Sequence, residues 1–230
     1  MAGLKVYYDL LSQPSRALYL FLKVNKIPFI DKVVALRKGE HFNEEFTKVN
    51  RFQKVPVIDD NGFVLRESVA ILKYLTLKYK LEDHWYPSDF QQQIRVDEYL
   101  HWQHANTRLN AAMIFRTIMI EPYRTGKPIK WNLVEHFKGE VSKTVEHLEK
   151  DFLQDGPYLC NQPTISICDI LGACELMQLN GVHEEQLYES NATVKKWMEQ
   201  VKKDLAPHFE EAHKIVYMVR EMYGKTKGKL

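Results

Sequence analysis

Apolar and polar residues divide this chain into two regions of different rhythm. Near the start, Leu4-Lys5-Val6-Tyr7-Tyr8-Asp9 carries the β-branched and aromatic residues that strands favour. Pro14 then opens a run to Lys26 with apolar residues at Leu18, Phe21 and Leu22, spaced for a helix. Proline suits the first helical turn, where its missing N–H has no intrahelical partner to lose. Ile27-Pro28-Phe29 ends that helix. Phe29–Leu36 predicts a second strand, 42–48 a short helix, Val55–Asp59 a third strand and Phe63–Leu65 a fourth. Asp60-Asn61-Gly62 predicts the hairpin turn between the last two, because Asn and Gly accept the positive φ that a tight hairpin needs. Glu67-Ser68 then starts a helix with Val69, Leu72 and Leu75 on one face. The order is β-α-β, a connector, then β-β-α.

From Ser88 onward the pattern is helical throughout: Ile94–Met119, Leu133–Leu153, Ile165–Leu179, Val194–Val201 and His208–Met222, with Pro122, Pro128, Pro157 and Pro163 between them as breakers. Ser166-Ile167-Cys168-Asp169 reads as a capping box before an apolar run, a purely structural feature worth about 1 kcal/mol. The fold class is therefore an α/β domain over 1–80, a linker over 81–87 and an all-α domain over 88–230. No stretch approaches the length of a membrane span. The tail from Gly224 to Leu230 reads as a solvated end.

Composition narrows the function. The 230 residues are 45% hydrophobic and 27% charged, which suits a folded protein with a real core. The net charge of +2 conceals an asymmetry: 14 Lys+Arg against 8 Asp+Glu in residues 1–80, but 18 against 22 in 81–230. An acidic second part, and no basic face interleaved with aromatics, argue against nucleic acid. A small anionic substrate held by the basic first unit fits better. The three cysteines form no C-x-x-C pair, and the start lacks a secretory leader, so a cytoplasmic protein with reduced thiols is expected. Glu98-x-x-His101, with His104 a turn later, has metal-motif spacing but lacks a second such pair, so no metal is expected.

Three stretches carry chemistry. Ser12-Gln13-Pro14-Ser15 sits where the first strand hands over to the first helix. Dithiol oxidoreductases of the thioredoxin type place C-x-x-C there, where a helix N-terminus stabilises a thiolate. With serine at both positions, the site suits a thiol that arrives on a substrate, and Ser12 can donate its O–H to that sulfur. A free thiol of pKa about 8.5 is only about 3% thiolate at pH 7, and lowering it by about 2 units needs about 2.7 kcal/mol. One hydrogen bond to a charged group supplies about 1.5–3 kcal/mol. The plainer role for Ser12 is helix capping. Lys54-Val55-Pro56 opens a strand with a proline that can be cis, exposing the Val55 backbone to an extended peptide, with Lys54 beside it to meet a carboxylate. The plainer alternative is an ordinary strand start. Glu67-Ser68 can grip an amino-acid head group, Ser68 and the free N–H groups taking its carboxylate and Glu67 its ammonium; the alternative is a plain helix start.

The ordered set LKVYYDLLSQPSRALYLF, KGEHF, KVPVIDDNGFVLRESVAILKYL and RVDEYLHWQHANTR resembles the cytosolic glutathione transferases, most closely their theta class. The resemblance covers nearly the whole chain. It implies a thioredoxin-like N-terminal domain, glutathione as cosubstrate, an electrophilic or hydroperoxide second substrate, and a homodimer with a role in detoxification. It implies Ser12 as the hydroxyl that bonds the glutathione sulfur. Gln13, His41, Lys54, Val55, Glu67 and Ser68 are implied as tripeptide contacts, and Asn106 and Arg108 as active-site lining from the helical domain. For Arg108 the alternative is a snorkelling helix residue. The same fold also serves non-catalytic binding and scaffold proteins, which is the alternative to catalysis.

Overall fold

The computed structural model describes residues 3–226; positions 1–2 and 227–230, most of the expected solvated tail among them, lie outside the described residues. The first unit runs β1 (Leu4–Tyr8), α1 (Gln13–Val24), β2 (Ile30–Val33), α2 (Glu44–Val49), β3 (Val57–Asp60), β4 (Phe63–Arg66) and α3 (Ser68–Lys78). Its sheet has the order β2-β1-β3-β4. β1 and β2 are parallel, and α1 supplies the crossover that parallel neighbours require; β3 and β4 add antiparallel. Asn61 and Gly62 take φ of +54° and +94°, the mirror-type turn whose twist matches that of the flanking strands.

Most strand ends fall within one residue of expectation, and two boundaries differ by more. β2 stops at Val33 instead of Leu36, and the chain enters two 3₁₀ turns, Leu36–Lys38 and Glu40–Phe42. The strand lies at the sheet edge with Ile30 and Val33 exposed, so no second neighbour extends it. β3 begins at Val57, after a cis Val55–Pro56 bond, because proline has no N–H to give a ladder.

The second unit begins with a long helical path: α4 (Phe90–Trp102), a π turn (His104–Arg108), α5 (Leu109–Phe115), a second π turn (Arg116–Ile120) and α6 (Glu121–Thr125). Pro122 does not break this path. It falls in the first turn of α6, where its missing N–H costs nothing. α7 (Trp131–His147) passes into a third π turn (Leu148–Phe152), and α8 (Ile167–Leu176), α9 (Gln186–Glu189), α10 (Ala192–Asp204) and α11 (His208–Thr226) follow. Among the described residues, no helix is long and apolar enough to cross a membrane. Within 81–87, Trp85 is buried and meets Phe21 of α1 edge-on, with ring centroids 5.3 Å apart.

α1 and α8 form the seam between the units, and every residue of α8 is buried. Arg16 of α1 lies wholly inside this seam. Its guanidinium donates to the carbonyls of Leu10 and Leu11 on one side, and to Cys174 O and Gln178 Oε1 on the other. The helix thus fixes the loop that delivers Ser12 and ties it to the second unit.

The capping box forms, and it does more than cap. Ser166 Oγ accepts from Cys168 N at 3.2 Å, and Asp169 Oδ2 accepts from Ser166 N at 2.7 Å. Asp169 Oδ1 also accepts from Leu159 N and from Trp197 Nε1, each at 2.8 Å. Burial pushes this carboxyl up to about 6 despite those bonds. Ser166→Ala should cost about 1 kcal/mol of stability. Asp169→Ala strands three buried N–H donors and should cost about 3–5 kcal/mol, read as a lower urea midpoint. Equal losses for the two variants would show that Asp169 is only a cap.

Candidate active site

A cavity of about 340 Å³ opens where the two units meet. The first unit lines it with Gln13 at the head of α1, Lys54 and Val55 before β3, Arg66 at the end of β4, and Glu67 and Ser68 at the head of α3; the helical unit closes it with His104, Arg108, Leu109 and Ala112. Three lining cations, Lys54, Arg66 and Arg108, face a single lining carboxylate, Glu67. The cavity therefore favours an anion that also carries one positive group.

Each wall has a local cause. Glu67 precedes α3 with φ of +67°, a conformation that disfavours a side chain. Strain of that kind persists where the surroundings over-determine it, often at ligand sites. Behind it, Ser68 is buried and its hydroxyl has no partner. The first turn of α3 carries no acidic residue, and its earliest hydrogen bond is Ile71 N to Glu67 O, so the N–H groups of Ser68, Val69 and Ala70 have no intrahelical acceptor. A buried orphan hydroxyl beside free N–H groups at a helix head can take a carboxylate.

Val55 lies beyond the last registered β1–β3 pair, Tyr7 with Val57, so its backbone is left out of the ladder. Buried Asn50 holds this corner: its amide donates to Lys54 O at 2.7 Å and its carbonyl accepts from Arg66 Nε at 3.0 Å. Arg66 also donates to Val49 O. Ser12 is the N-cap of α1, yet its side chain makes no capping bond, so the plain capping role is not the one it fills. Its N–H donates to Asp9 O at 2.9 Å, and Gln13, the next residue, reaches the cavity.

The structure thus gathers Gln13, Lys54, Val55, Glu67, Ser68 and Arg108 around one cavity. Ser12, His41 and Asn106 are not among its lining residues. Asn106 turns its amide back to Trp102 O at 2.8 Å. His41 sits in the second 3₁₀ turn with its ring 3.8 Å from that of Phe42 and its buried Nδ1 without a partner. Burial holds His41 below its ordinary range, against the pull of Asp9. No cluster that could hold a metal occurs among the described residues. Cys160, Cys168 and Cys174 are all free and buried. Burial pushes the Cys174 thiol up to about 12, which makes it a poor nucleophile.

Sequence reasoning missed Asn50, Arg66 and His104 as part of the site. Asn50 and Arg66 had no motif to mark them. His104 stood one helical turn from Arg108, so the helix periodicity already placed both on one face.

Residues 4–76 match the family described as "Glutathione S-transferase, N-terminal domain". The chain is 40% identical to glutathione S-transferase theta-1 of Bos taurus over 220 residues, 95% of this chain and 91% of that one. Its fold is similar to that of human glutathione-S-transferase T1-1 in the apo form, with TM-score 0.90, 40% identity and coverage of 95% of this chain and 91% of that one. It is similar also to the human theta-class enzyme in complex with the glutathione conjugate of 1-menaphthyl sulfate, with TM-score 0.92, 37% identity and coverage of 98% and 91%. With a thioredoxin-like sheet, a helical second domain and relatives at this level along nearly its whole length, the chain belongs to the theta class of the glutathione S-transferase family.

Proposed function

We propose that the cavity binds glutathione and that the Ser12 hydroxyl donates to its sulfur, so that the thiol reacts as a thiolate with an electrophilic carbon or a hydroperoxide. The observation that carries this reading is the buried, unpartnered Ser68 hydroxyl at the head of α3, next to Glu67. These two residues take the γ-glutamyl head group, Ser68 its carboxylate and Glu67 its ammonium. The Val55 backbone takes the cysteinyl residue as an added strand would. Lys54 and His41 take the glycyl carboxylate. Gln13 lies beside the sulfur position, and Arg108, with Asn106 behind it, faces the reacting atoms from the helical domain.

The chemistry follows from these placements. The protein supplies no covalent nucleophile; it supplies orientation and charge. The sulfur sits at the N-terminus of α1, where the helix dipole contributes about 0.3–1 kcal/mol toward the anion. The Ser12 hydrogen bond adds about 1.5–3 kcal/mol. Arg108 can stabilise negative charge on the thiolate or on the leaving group. The electrophile is held against Leu109 and Ala112, the apolar residues of the helical wall.

The remaining expectations belong with this reading. The protein works in the cytoplasm, in detoxification, as a homodimer. Exposed Phe63, Leu77, Phe90 and Ile94 are the apolar material a second copy would cover. Sedimentation at micromolar concentration should give twice the chain mass.

Two variants test the site. Ser12→Ala should raise the pKa of bound glutathione by about 1–2 units, seen as the ultraviolet thiolate absorbance titrated against pH. kcat at neutral pH should fall about 10- to 100-fold with KM for glutathione little changed. A bound thiol with the pKa of free glutathione in the wild type would overturn the mechanism. Ser68→Ala should do the opposite, raising KM for glutathione about tenfold or more while leaving the thiolate pKa unaltered. If Ser68→Ala shifts the thiolate pKa and spares KM, the head-group assignment is wrong.

A further inference from the structure

Glu175 of α8 is 1% exposed and lies at the centre of the seam, yet no role assigned above uses it. Its backbone carbonyl accepts from the Gln13 side chain at 3.1 Å, on the Ser12 side of the cavity. Its carboxyl faces the first π turn, on the Arg108 side. There the buried Gln103 side chain stands between Glu175 and His104: one end of its amide lies 2.5 Å from Glu175 Oε1 and the other 3.3 Å from His104 Nδ1. Arg108 Nη1 reaches the same His104 Nδ1 at 3.3 Å. A fixed chain of contacts therefore runs from a buried carboxyl to a cavity-lining guanidinium.

This chain has two self-consistent settings. At 2.5 Å the contact between Glu175 and the Gln103 amide needs one proton, carried either by the carboxyl or by the amide nitrogen, and the amide turns to suit. With Glu175 protonated, its O–H donates to Gln103 Oε1, and Gln103 Nε2 donates to Leu100 O and faces His104 Nδ1. His104 then keeps its proton on Nε2, and Nδ1 accepts from Arg108. When Glu175 loses its proton to solvent, the Gln103 amide must turn over, because a carboxylate only accepts. Nε2 then donates to Glu175 Oε1 at 2.5 Å and Oε2 at 3.3 Å, and Oε1 accepts from His104 Nδ1 at 3.3 Å. For that, the His104 proton moves by solvent exchange from Nε2 to Nδ1. Arg108 loses its acceptor and is released toward the cavity.

We propose that Glu175, Gln103 and His104 form a relay in which the proton on Glu175 selects the His104 tautomer and so positions Arg108 over the reacting atoms. Glu175 is thus a positioning residue, and the proposal rests on the reading of the cavity as the glutathione site. The surroundings fit a group that titrates near working pH. Burial pushes Glu175 up to about 8, against the Thr107 hydroxyl and the Arg108 charge. The other titratable groups facing it are Tyr99 of α4, whose buried hydroxyl has no partner, and Cys174, its neighbour on α8. His104 faces Arg108, His101 and, across the cavity, Glu67; partial desolvation and the Arg108 charge hold it below its ordinary range, so it is neutral while Glu175 titrates.

The ring nitrogens of His104 report the relay directly. They are observed by NMR in histidine-¹⁵N-labelled protein, assigned by signal loss in His104→Asn, and followed from pH 6.5 to 9.5. In the wild type the protonated and unprotonated nitrogens should exchange places with a midpoint near pH 8. Glu175→Gln keeps a donor to Gln103 Oε1 and should hold the low-pH tautomer throughout. Should that variant fail to fold, Gln103→Leu removes the amide that carries the message and should likewise abolish the exchange. kcat/KM, measured in parallel, should show a step of up to about tenfold near pH 8 in the wild type and none in Glu175→Gln. One tautomer at all pH values in the wild type, or an exchange that survives Glu175→Gln, overturns the relay. A tautomer exchange without any glutathione thiolate signal upholds the relay and removes the glutathione reading instead.

Discussion

The arrangement depends first on Arg16. A guanidinium taken wholly out of water is costly, and the cost is offset only where its donors are matched. Here four acceptors take its two terminal nitrogens, Nε alone being left without a partner, and they come from two parts of the chain more than 150 residues apart: Leu10 and Leu11 on one side, Cys174 and Gln178 on the other. No carboxylate pairs with it directly. Desolvation lowers its pKa to about 10, still far above neutrality, so it remains charged. Asp9, the nearest anion of the loop, holds Leu11 N and Leu36 N instead. The charge therefore acts as a clamp on carbonyls. It fixes the backbone that carries Ser12 in a frame set by α8, so the hydroxyl is aimed by the second domain as much as by the first.

α8 repeats this arrangement at both ends. At its head, Asp169 gathers the N–H groups of Ser166, Leu159 and Trp197, which locks the helix to its own domain. At its other end, one residue before Leu176, Glu175 reaches Gln13 and the first π turn. A helix buried on every side would ordinarily be lined with apolar residues alone. This one carries two carboxyls, each placed where a neighbouring element must be oriented. The π turn is the element most in need of it. Its wide ring, closed by Arg108 N to Gln103 O at 3.0 Å, brings Gln103 and Thr107 inward while His104 and Arg108 point to the cavity.

The parts legible in the sequence are those fixed by neighbours in the chain. Asn61-Gly62 specified its hairpin because the backbone angles there suit few other residues. Pro14 and Ser166-x-x-Asp169 marked helix starts by local hydrogen-bond accounting. Glu67-Ser68 announced a helix head, and both residues line the cavity. What stayed hidden has a common physical cause. Arg16, Gln103 and Glu175 are polar residues inside apolar helical runs, and periodicity assigns such positions to a solvated edge. Their burial is decided by partners far along the chain. The π turns were equally invisible, since one extra residue per turn leaves the apolar spacing almost unchanged. Pro122 misled for the same reason: only the π turn before it makes its missing N–H harmless.

The energetics explain why the site needs both domains. Activating a thiol at neutral pH takes about 2.7 kcal/mol, and the hydroxyl and helix dipole at Ser12 together span roughly that amount. Neither contribution survives misalignment, because a charged hydrogen bond weakens steeply with angle. The loop from Asp9 to Ser12 has little local structure to hold it: one turn bond from Ser12 N to Asp9 O, and the Asp9 side chain on Leu11 N. Asp9 also takes Leu36 N, Ser12 O takes Arg16 N, and the Arg16 guanidinium ties the loop to α8. The first domain supplies Lys54, Val55, Glu67 and Ser68, and so most of the contacts proposed for the tripeptide, whereas the frame around Ser12 comes from both domains. On the proposed reading, tripeptide binding therefore rests mainly on the first domain, while activation at Ser12 also draws on the seam.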